Sequence, residues 1–243
     1  MKKYEIIPLK NKLDAVIELP GSKSYTNRAL IIASLCNGKT VLKNALISND
    51  IIYLIKAIRQ LGIKIELNKT AIIVYGKGGI FQEPKESLYL EFSGTGIRLL
   101  TGLVSLVKGK SILTGEQRLQ ERPIQPLIDG LKQLGVNCET KNNNGCPPVI
   151  VNGGTLIGGK CQIQGNISSQ FISSIMLIAP YTKKDVIIDV IGELTSIPYI
   201  DITIDIMKSF GVNVINNNYK TFIIKSGQRY INQEYIIEGD ASS

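Results

Sequence analysis

The sequence predicts an α/β protein made of three repeated strand–helix–strand–helix–strand–strand units, with the helices buried and the sheets on the outside. Three observations predict this fold class. A short signature recurs at Gly62, Gly135 and Gly211 with a spacing of about 75 residues, which is typical of a repeat architecture. In each copy an apolar pattern of helical period stops at the glycine and a β-rich run follows. Upstream of it lies a segment that is apolar on nearly every face, as in a buried helix.

The second helix of each unit ends at the signature glycine, because glycine readily takes the left-handed conformation that closes a helix. We expect these helices to begin at Asn49, at Arg122-Pro123 and at Ile197-Pro198, since proline is favoured in the first turn. The isoleucines of the third helix alternate as they would in a strand. Its alignment with the other two copies favours a helix.

The remaining elements follow from the same periodicities. The first helices are predicted at residues 27–35, 97–107 and 170–179. Strands between the two helices are predicted at 41–46, 110–113 and 185–190, and hairpins after them at 63–67 with 71–75, 136–140 with 149–152, and 212–215 with 221–225. An extra strand pair is predicted at 5–8 and 15–19. The sequence stops just after the third unit, so we expect more protein to follow Ser243.

Composition limits the possible functions. The chain has 243 residues, a net charge of +8 and no histidine. The absence of histidine excludes Ser-His-Asp catalysis and any histidine-ligated metal site, and the four cysteines form no CxxC pair. The moderate positive charge favours small anionic ligands over nucleic acid, because no basic block occurs. No apolar run is long enough to span a membrane and no signal peptide opens the chain, so a cytoplasmic monomer is expected.

Chemically useful residues are densest at 20–28, where a Pro-Gly turn leads into the first helix. Lys23 and Ser24 stand at the helix N-terminus, where backbone N–H groups and the helix dipole favour an anion. Arg28 lies one turn further along an otherwise apolar helix, so its guanidinium needs a partner. That partner is either an internal carboxylate or the carboxylate of a ligand.

The equivalent junctions of the other two units are also polar. Gly94 belongs to a Ser-Gly-Thr-Gly turn, and a run of hydroxyl and amide side chains precedes the third unit's first helix at Ser168, Ser169 and Gln170. Arg122, Ser196 and Tyr199 lie at the starts of the second helices. We therefore predict that three helix N-termini converge, with junctions at 22–24, 93–96 and 166–169, and bind one multiply anionic small molecule.

A relaxed P-loop spelling at 33–40 is the main competing motif. A P-loop needs a strand before the glycine-rich turn and a helix after it. Here the predicted order is the reverse, which favours an ordinary helix end.

These motifs resemble the 5-enolpyruvylshikimate-3-phosphate (EPSP) synthase family along the whole chain. The resemblance is carried by Pro20-Gly21-Ser22-Lys23-Ser24-Tyr25-Thr26-Asn27-Arg28-Ala29-Leu30, Gly94-Thr95, Leu113-Thr114-Gly115-Glu116, Glu121-Arg122-Pro123-Ile124, Ser168-Ser169-Gln170-Phe171, Pro198-Tyr199-Ile200-Asp201-Ile202-Thr203 and Glu238-Gly239-Asp240-Ala241-Ser242-Ser243. The sister family that makes UDP-N-acetylglucosamine enolpyruvate shares the fold but has a different first motif. Phe92-Ser93 and Leu99 depart from the usual pattern around Gly94.

The resemblance implies transfer of the enolpyruvyl group of phosphoenolpyruvate to the 5-hydroxyl of shikimate-3-phosphate, without metal or cofactor, in the shikimate pathway of aromatic amino acid biosynthesis. It implies an inside-out α/β barrel in each of two domains, with the substrates in the cleft between them. The shikimate-3-phosphate contacts it implies are Lys23, Ser24, Arg28, Ser168, Ser169, Gln170, Ser196 and Tyr199. The phosphoenolpyruvate contacts it implies are Lys23, Gly94, Arg122 and Gln170, and Lys23 is the catalytic residue among them.

The resemblance also implies a domain division. Residues 1–19 would belong to a second domain, residues 20–238 would form the three-unit domain (about 20–90, 91–164 and 165–238), and residues 239–243 would begin the crossover to the second domain. The family's catalytic carboxylates belong to that second, C-terminal domain. We therefore expect this chain alone to bind shikimate-3-phosphate without turnover, and a binding-only module is the alternative.

Overall fold

A computed structural model of the chain describes residues 4, 5, 8, 12, 14–17, 19–68 and 71–240. The helices are α1 Lys23–Leu35, α2 Asn49–Gln60, α3 Gly94–Val104, α4 Gln117–Gln120, α5 Gln125–Gln133, α6 Ser169–Ile178 and α7 Ile197–Ser209, with a 3₁₀ turn at Ala179–Tyr181. The strands are β1 Asn37–Lys43, β2 Lys64–Leu67, β3 Ala71–Lys77, β4 Leu88–Tyr89, β5 Gly109–Thr114, β6 Asn137–Thr140, β7 Val149–Gly153, β8 Gly159–Gln164, β9 Val186–Ile191, β10 Val214–Asn217, β11 Thr221–Ile224 and β12 Glu234–Ile236.

The strands form three four-stranded sheets of the same topology. Their orders are β12-β1-β3-β2, β4-β5-β7-β6 and β8-β9-β11-β10. In each sheet the first two strands are parallel and the other neighbours are antiparallel. This repetition confirms the predicted three-unit α/β fold class. The described residues form separate sheets and no closed barrel.

The first unit takes its leading strand from the far end of the described chain. Strand β12 pairs in parallel with β1, matching Val41 with Glu234 and Lys43 with Ile236. The next residue, Ile237, is fully buried, and its N–H donates to the Lys43 carbonyl at 2.9 Å. The last strand of the third unit therefore completes the sheet of the first unit, so backbone hydrogen bonds join these two units.

Helices α1, α3 and α6 form the centre of the core, as their all-round apolar sequences predict. Residues 26–35 of α1 are all buried, and α3 packs directly against α6. The outer helices α2, α5 and α7 are buried along one face only. The expectation that all the helices are buried is therefore correct for the inner three and too broad for the outer three, whose other faces meet solvent.

The C-terminal ends of the inner helices show the repeat at atomic detail. The N–H groups of Gly78, Gly154 and Gly227 each donate to a carbonyl just beyond one of these helices, at 2.8, 2.9 and 3.1 Å. At the outer helices, the signature glycines 62, 135 and 211 have φ of 83°, 92° and 85°. Their left-handed conformation confirms the predicted helix ends.

Several predicted boundaries need correction. The sequence did not predict the three leading strands β4, β8 and β12. The strand between α1 and α2 covers 37–43 instead of 41–46. Arg122-Pro123 lies in a turn between α4 and α5, because the second helix of unit two begins only at Gln125. The predicted strands at 5–8 and 15–19 lie partly outside the described residues, and their described members are in no strand. Within the described ranges, no helix has the length and apolar character needed to cross a bilayer.

Candidate functional site

The first helix begins where two chain segments meet. The N–H of Ser22 donates to the Glu238 carbonyl, and the N–H of Asp240 donates to the Pro20 carbonyl, both at 2.8 Å. A Cβ on Gly21 would lie 1.7 Å from the Asn44 carbonyl oxygen, so only glycine fits at this crossing. The start of α1 is therefore held in place by backbone contacts on both sides.

Lys23 is the first residue of α1, and its side chain is half exposed. Its Nζ lies 3.3 Å from Oδ2 of Asp50 in the first turn of α2. An ion pair this exposed contributes little to folding stability. It does, however, hold the ammonium group over the junction of α1 and α2.

Arg28 is 1% exposed and lies between α1, α6 and α7. Its Nε donates to Thr203 Oγ1 at 2.7 Å, Nη1 donates to the Ser24 carbonyl at 3.0 Å, and Nη2 donates to Ser173 Oγ and the Tyr199 carbonyl at 3.3 and 3.2 Å. Of the two predicted partners, an internal carboxylate is absent among the described residues, where hydroxyl and carbonyl oxygens bind Arg28 instead. Burial lowers the pKa of Arg28 to about 10, so the guanidinium stays charged at neutral pH.

The junctions of units two and three touch each other. Gln170 Nε2, in the first turn of α6, donates to Thr95 Oγ1 in the first turn of α3 at 3.0 Å. Arg98 donates to Gln170 Oε1 at 2.9 Å and to the Pro123 carbonyl at 2.9 Å. Arg28 joins α1 to α6 and α7, so a chain of hydrogen bonds links all three inner helices near their N-termini, as convergence of the junctions requires.

Gly94 and Arg122 lie against each other. A Cβ on Gly94 would come within 2.5 Å of Arg122 Nη1, so the absence of a side chain at residue 94 leaves room for the guanidinium. Ser93 caps α3 by accepting from the Gly96 N–H at 3.2 Å, Phe92 is half exposed, and Leu99 is buried in the core. Phe92, Ser93 and Leu99 depart from the family pattern, but α3 is still capped at its start and packed in the core.

The predicted hydroxyl residues differ in their surroundings. Ser168 caps α6, and its Oγ accepts from the Gln170 N–H at 3.3 Å. Ser169 is buried, whereas Ser196 and Tyr199 are exposed at the start of α7. Ser196 has a φ of 59° and makes no capping bond through its side chain. Its hydroxyl is therefore available to a ligand without loss of a helix cap.

Sequence reasoning missed three residues that build the site from below. Arg98 was not singled out, although it is the only basic residue in α3. Ser173 lies in a predicted apolar helix, and Thr203 belongs to the family motif at 198–203 without a predicted role, yet both are fully buried and bind Arg28. The usable signal was a polar side chain in a helix that is otherwise apolar.

Comparisons with known proteins show which family this sequence resembles. A sequence model of the family described as EPSP synthase (3-phosphoshikimate 1-carboxyvinyltransferase) matches residues 8–243. Curated relatives named 3-phosphoshikimate 1-carboxyvinyltransferase include one from Histophilus somni, 45% identical over 250 residues, and one from Shewanella piezotolerans, 44% identical over 247 residues. Each alignment covers 100% of this chain but 58% of the relative.

A solved structure resembles the fold as well. EPSP synthase from Acinetobacter baumannii superposes with a TM-score of 0.83 at 25% sequence identity, covering 92% of this chain and 49% of that one. The chain thus spans little more than half the length of the curated relatives and about half of this structure.

Proposed function

Because this chain belongs to the EPSP synthase family, we propose that it supplies the shikimate-3-phosphate-binding part of an enzyme that transfers the enolpyruvyl group of phosphoenolpyruvate to shikimate-3-phosphate. The observation that carries the proposal is the meeting of three helix N-termini, joined by Arg28, Arg98 and Gln170. Helix N-termini with cationic side chains favour a ligand with several negative charges. Both proposed substrates have this character.

Shikimate-3-phosphate would lie across the starts of α1, α6 and α7. Lys23 and Ser24 would contact the sugar-like ring and its substituents, and the hydroxyls of Ser168, Ser169 and Ser196 would hold the phosphate. Tyr199, with 44% of its surface exposed, would pack its ring on the ligand. Arg28 has four of its five N–H groups bonded to described protein atoms, which leaves one Nη1 hydrogen for the carboxylate.

Phosphoenolpyruvate would lie beside it, on the start of α3. Lys23 would contact both substrates, Arg122 over Gly94 would hold the phosphate, and Gln170 would bridge the two ligands. In this reaction the 5-hydroxyl oxygen bonds to C2 of phosphoenolpyruvate and gives its proton to a base while C3 takes a proton. The tetrahedral adduct then loses phosphate from C2 and a proton from C3, which restores the double bond of the enolpyruvyl group. Lys23, as the proposed catalytic residue, would stabilise charge between the two anions, an effect that is strong in a preorganised site.

The domain division follows the same proposal. Residues 20–238 would form the three-unit domain described above, with units of about 20–90, 91–164 and 165–238. Residues 1–19 and 239–243 would lead to a second, C-terminal domain that carries the acid–base carboxylates. We propose that this chain alone binds shikimate-3-phosphate without turnover.

A titration tests the binding proposal. We expect shikimate-3-phosphate to shift NMR signals of the three junctions with a dissociation constant between high micromolar and millimolar, about −4 to −6 kcal/mol. Ser196→Ala should weaken this binding and leave that of shikimate, which lacks the phosphate, unchanged. Thr155→Ala is the matched control, because it also removes one exposed hydroxyl, here near the C-terminal end of α5. Equal affinity of the Ser196→Ala and native chains for shikimate-3-phosphate would contradict the phosphate assignment.

A further inference from the structure

We propose that Arg98 is a positioning residue that holds the side-chain amide of Gln170 in one orientation and ties it to the turn carrying Arg122. The inference deepens the proposed function, since Gln170 and Arg122 are the groups assigned there to phosphoenolpyruvate. Arg98 itself is assigned no ligand contact. Its role would be to set which atoms of its neighbours face the anions.

The side-chain contacts of Arg98 reach two separate parts of the chain. Nη1 donates to Gln170 Oε1 at 2.9 Å and lies 3.4 Å from Ser168 Oγ, both at the start of α6. Nη2 donates to the Pro123 carbonyl at 2.9 Å, one residue beyond Arg122. The guanidinium also stacks on the Phe171 ring at 4.9 Å from its centre. One side chain of α3 therefore joins α6 to the turn between α4 and α5.

The hydrogen bond from Arg98 allows only one orientation of the Gln170 side-chain amide. A guanidinium only donates, so the group facing Arg98 must be the carbonyl oxygen Oε1. The Nε2 group then points to the opposite side, where it donates to Thr95 Oγ1 at 3.0 Å and keeps a second hydrogen. Without Arg98, either orientation of the amide becomes possible. An amide turned the other way would present an oxygen to the anions, which is repulsive.

The charge of Arg98 has no carboxylate partner among the described residues. Burial and, to a lesser extent, the nearby positive charge of Arg122 lower the pKa of Arg98 to about 10. The repulsion between the half-buried Arg98 and the exposed Arg122 is unfavourable for folding alone. An anion bound between the junctions offsets that repulsion, so the arrangement fits a ligand site better than a purely structural tie.

The direct test reads the Gln170 side-chain amide by ¹⁵N NMR in the ligand-free 243-residue chain. In the native chain we expect the two N–H signals of the Gln170 side-chain amide to be well separated. In Arg98→Met their chemical shifts should move toward the values of a solvent-exposed glutamine. Arg59→Met is the matched control, because Arg59 likewise donates to a backbone carbonyl, that of Ile65, but lies on α2. Unchanged Gln170 signals in folded Arg98→Met would overturn the proposal.

A second variant and a ligand complete the test. Arg98→Lys keeps the charge but not the two-armed geometry, so it should also displace the Gln170 signals if Arg98→Met fails to fold. With phosphoenolpyruvate as the probe, Arg98→Met should bind about tenfold more weakly than the native chain. A native chain that binds neither substrate would contradict the proposed function, while the Gln170 signals would still decide the role of Arg98.

Discussion

Arg28 Nε donates to Thr203 Oγ1 at 2.7 Å, although 175 residues separate the two in the chain. The bond joins the first inner helix to the last outer helix, and Ser173 Oγ lies 2.7 Å from the same Thr203 oxygen. Three polar side chains thus satisfy one another inside an otherwise apolar core. Their geometry places the N-termini of α1, α6 and α7 next to one another.

Replacing Arg28 by methionine should destabilise the fold by about 3 kcal/mol, because the carbonyl and hydroxyl oxygens it binds would stay buried without donors. Urea unfolding followed by circular dichroism measures the change. Arg59→Met, which removes an exposed arginine, should shift the midpoint little. Equal midpoints for the two variants would contradict the structural role given to Arg28.

Closure of the first sheet by β12 is tested by two neighbouring isoleucines. Ile237 is fully buried and Ile236 is 65% exposed. Ile237→Ala should lower the free energy of unfolding by about 2–4 kcal/mol, whereas Ile236→Ala should change it by less than about 0.5 kcal/mol. If both substitutions have the same small effect in chemical denaturation, residues 234–237 do not belong to the cooperative core.

The close approach of α3 and α6 depends on Gly102. A Cβ there would lie 2.4 Å from Ser174 Oγ and 2.8 Å from the Ser174 carbonyl oxygen, so Gly102→Ala should force the helices apart and cost about 1–3 kcal/mol. Gly130→Ala in α5 is the matched control, since its Cβ would meet only isoleucine side-chain ends at 3.0 Å or more. In thermal unfolding, the Tm of Gly102→Ala should be well below the Tm of Gly130→Ala.

The third sheet should make stability fall in acid. A hydrogen bond from the Lys160 ammonium, followed by one from the Thr221 hydroxyl, lowers the pKa of Asp189. A lowered pKa in the folded state means that the stabilisation is present at neutral pH and is lost as the pH falls through that pKa. Urea midpoints of Asp189→Asn should therefore vary less between pH 7 and pH 3 than those of the native chain. Asp14→Asn, on an exposed segment, should leave the native pH dependence unchanged.

The purified chain should show no enolpyruvyl transfer on its own. Transition-state stabilisation in the proposed reaction needs groups from both sides of the substrates, and this chain spans 58% of its curated relatives. Phosphate release from phosphoenolpyruvate and shikimate-3-phosphate measures the activity. Turnover by this chain, free of host enzyme, would show that the described residues suffice. The positive control is the same assay after the C-terminal part of a relative has been added to this chain.

The sequence by itself determined the repeat and the character of each inner helix. Apolar residues on every face of residues 27–35 leave no way to place that helix on the surface, and glycine at 62, 135 and 211 ends the outer helices because few other residues adopt a positive φ. The sequence also predicted the polar junctions, because serine and glycine are favoured where a helix begins.

Only the tertiary structure decided how those parts meet. Strands β4 and β12 have two and three residues, which is too short to carry a periodic signal, and they exist because a neighbouring strand offers them hydrogen bonds. The partners of Arg28 and Arg98 come from helices distant in sequence, so no local pattern could identify them. Packing of the inner helices fixes those distances, because close-packed cores allow few alternative arrangements.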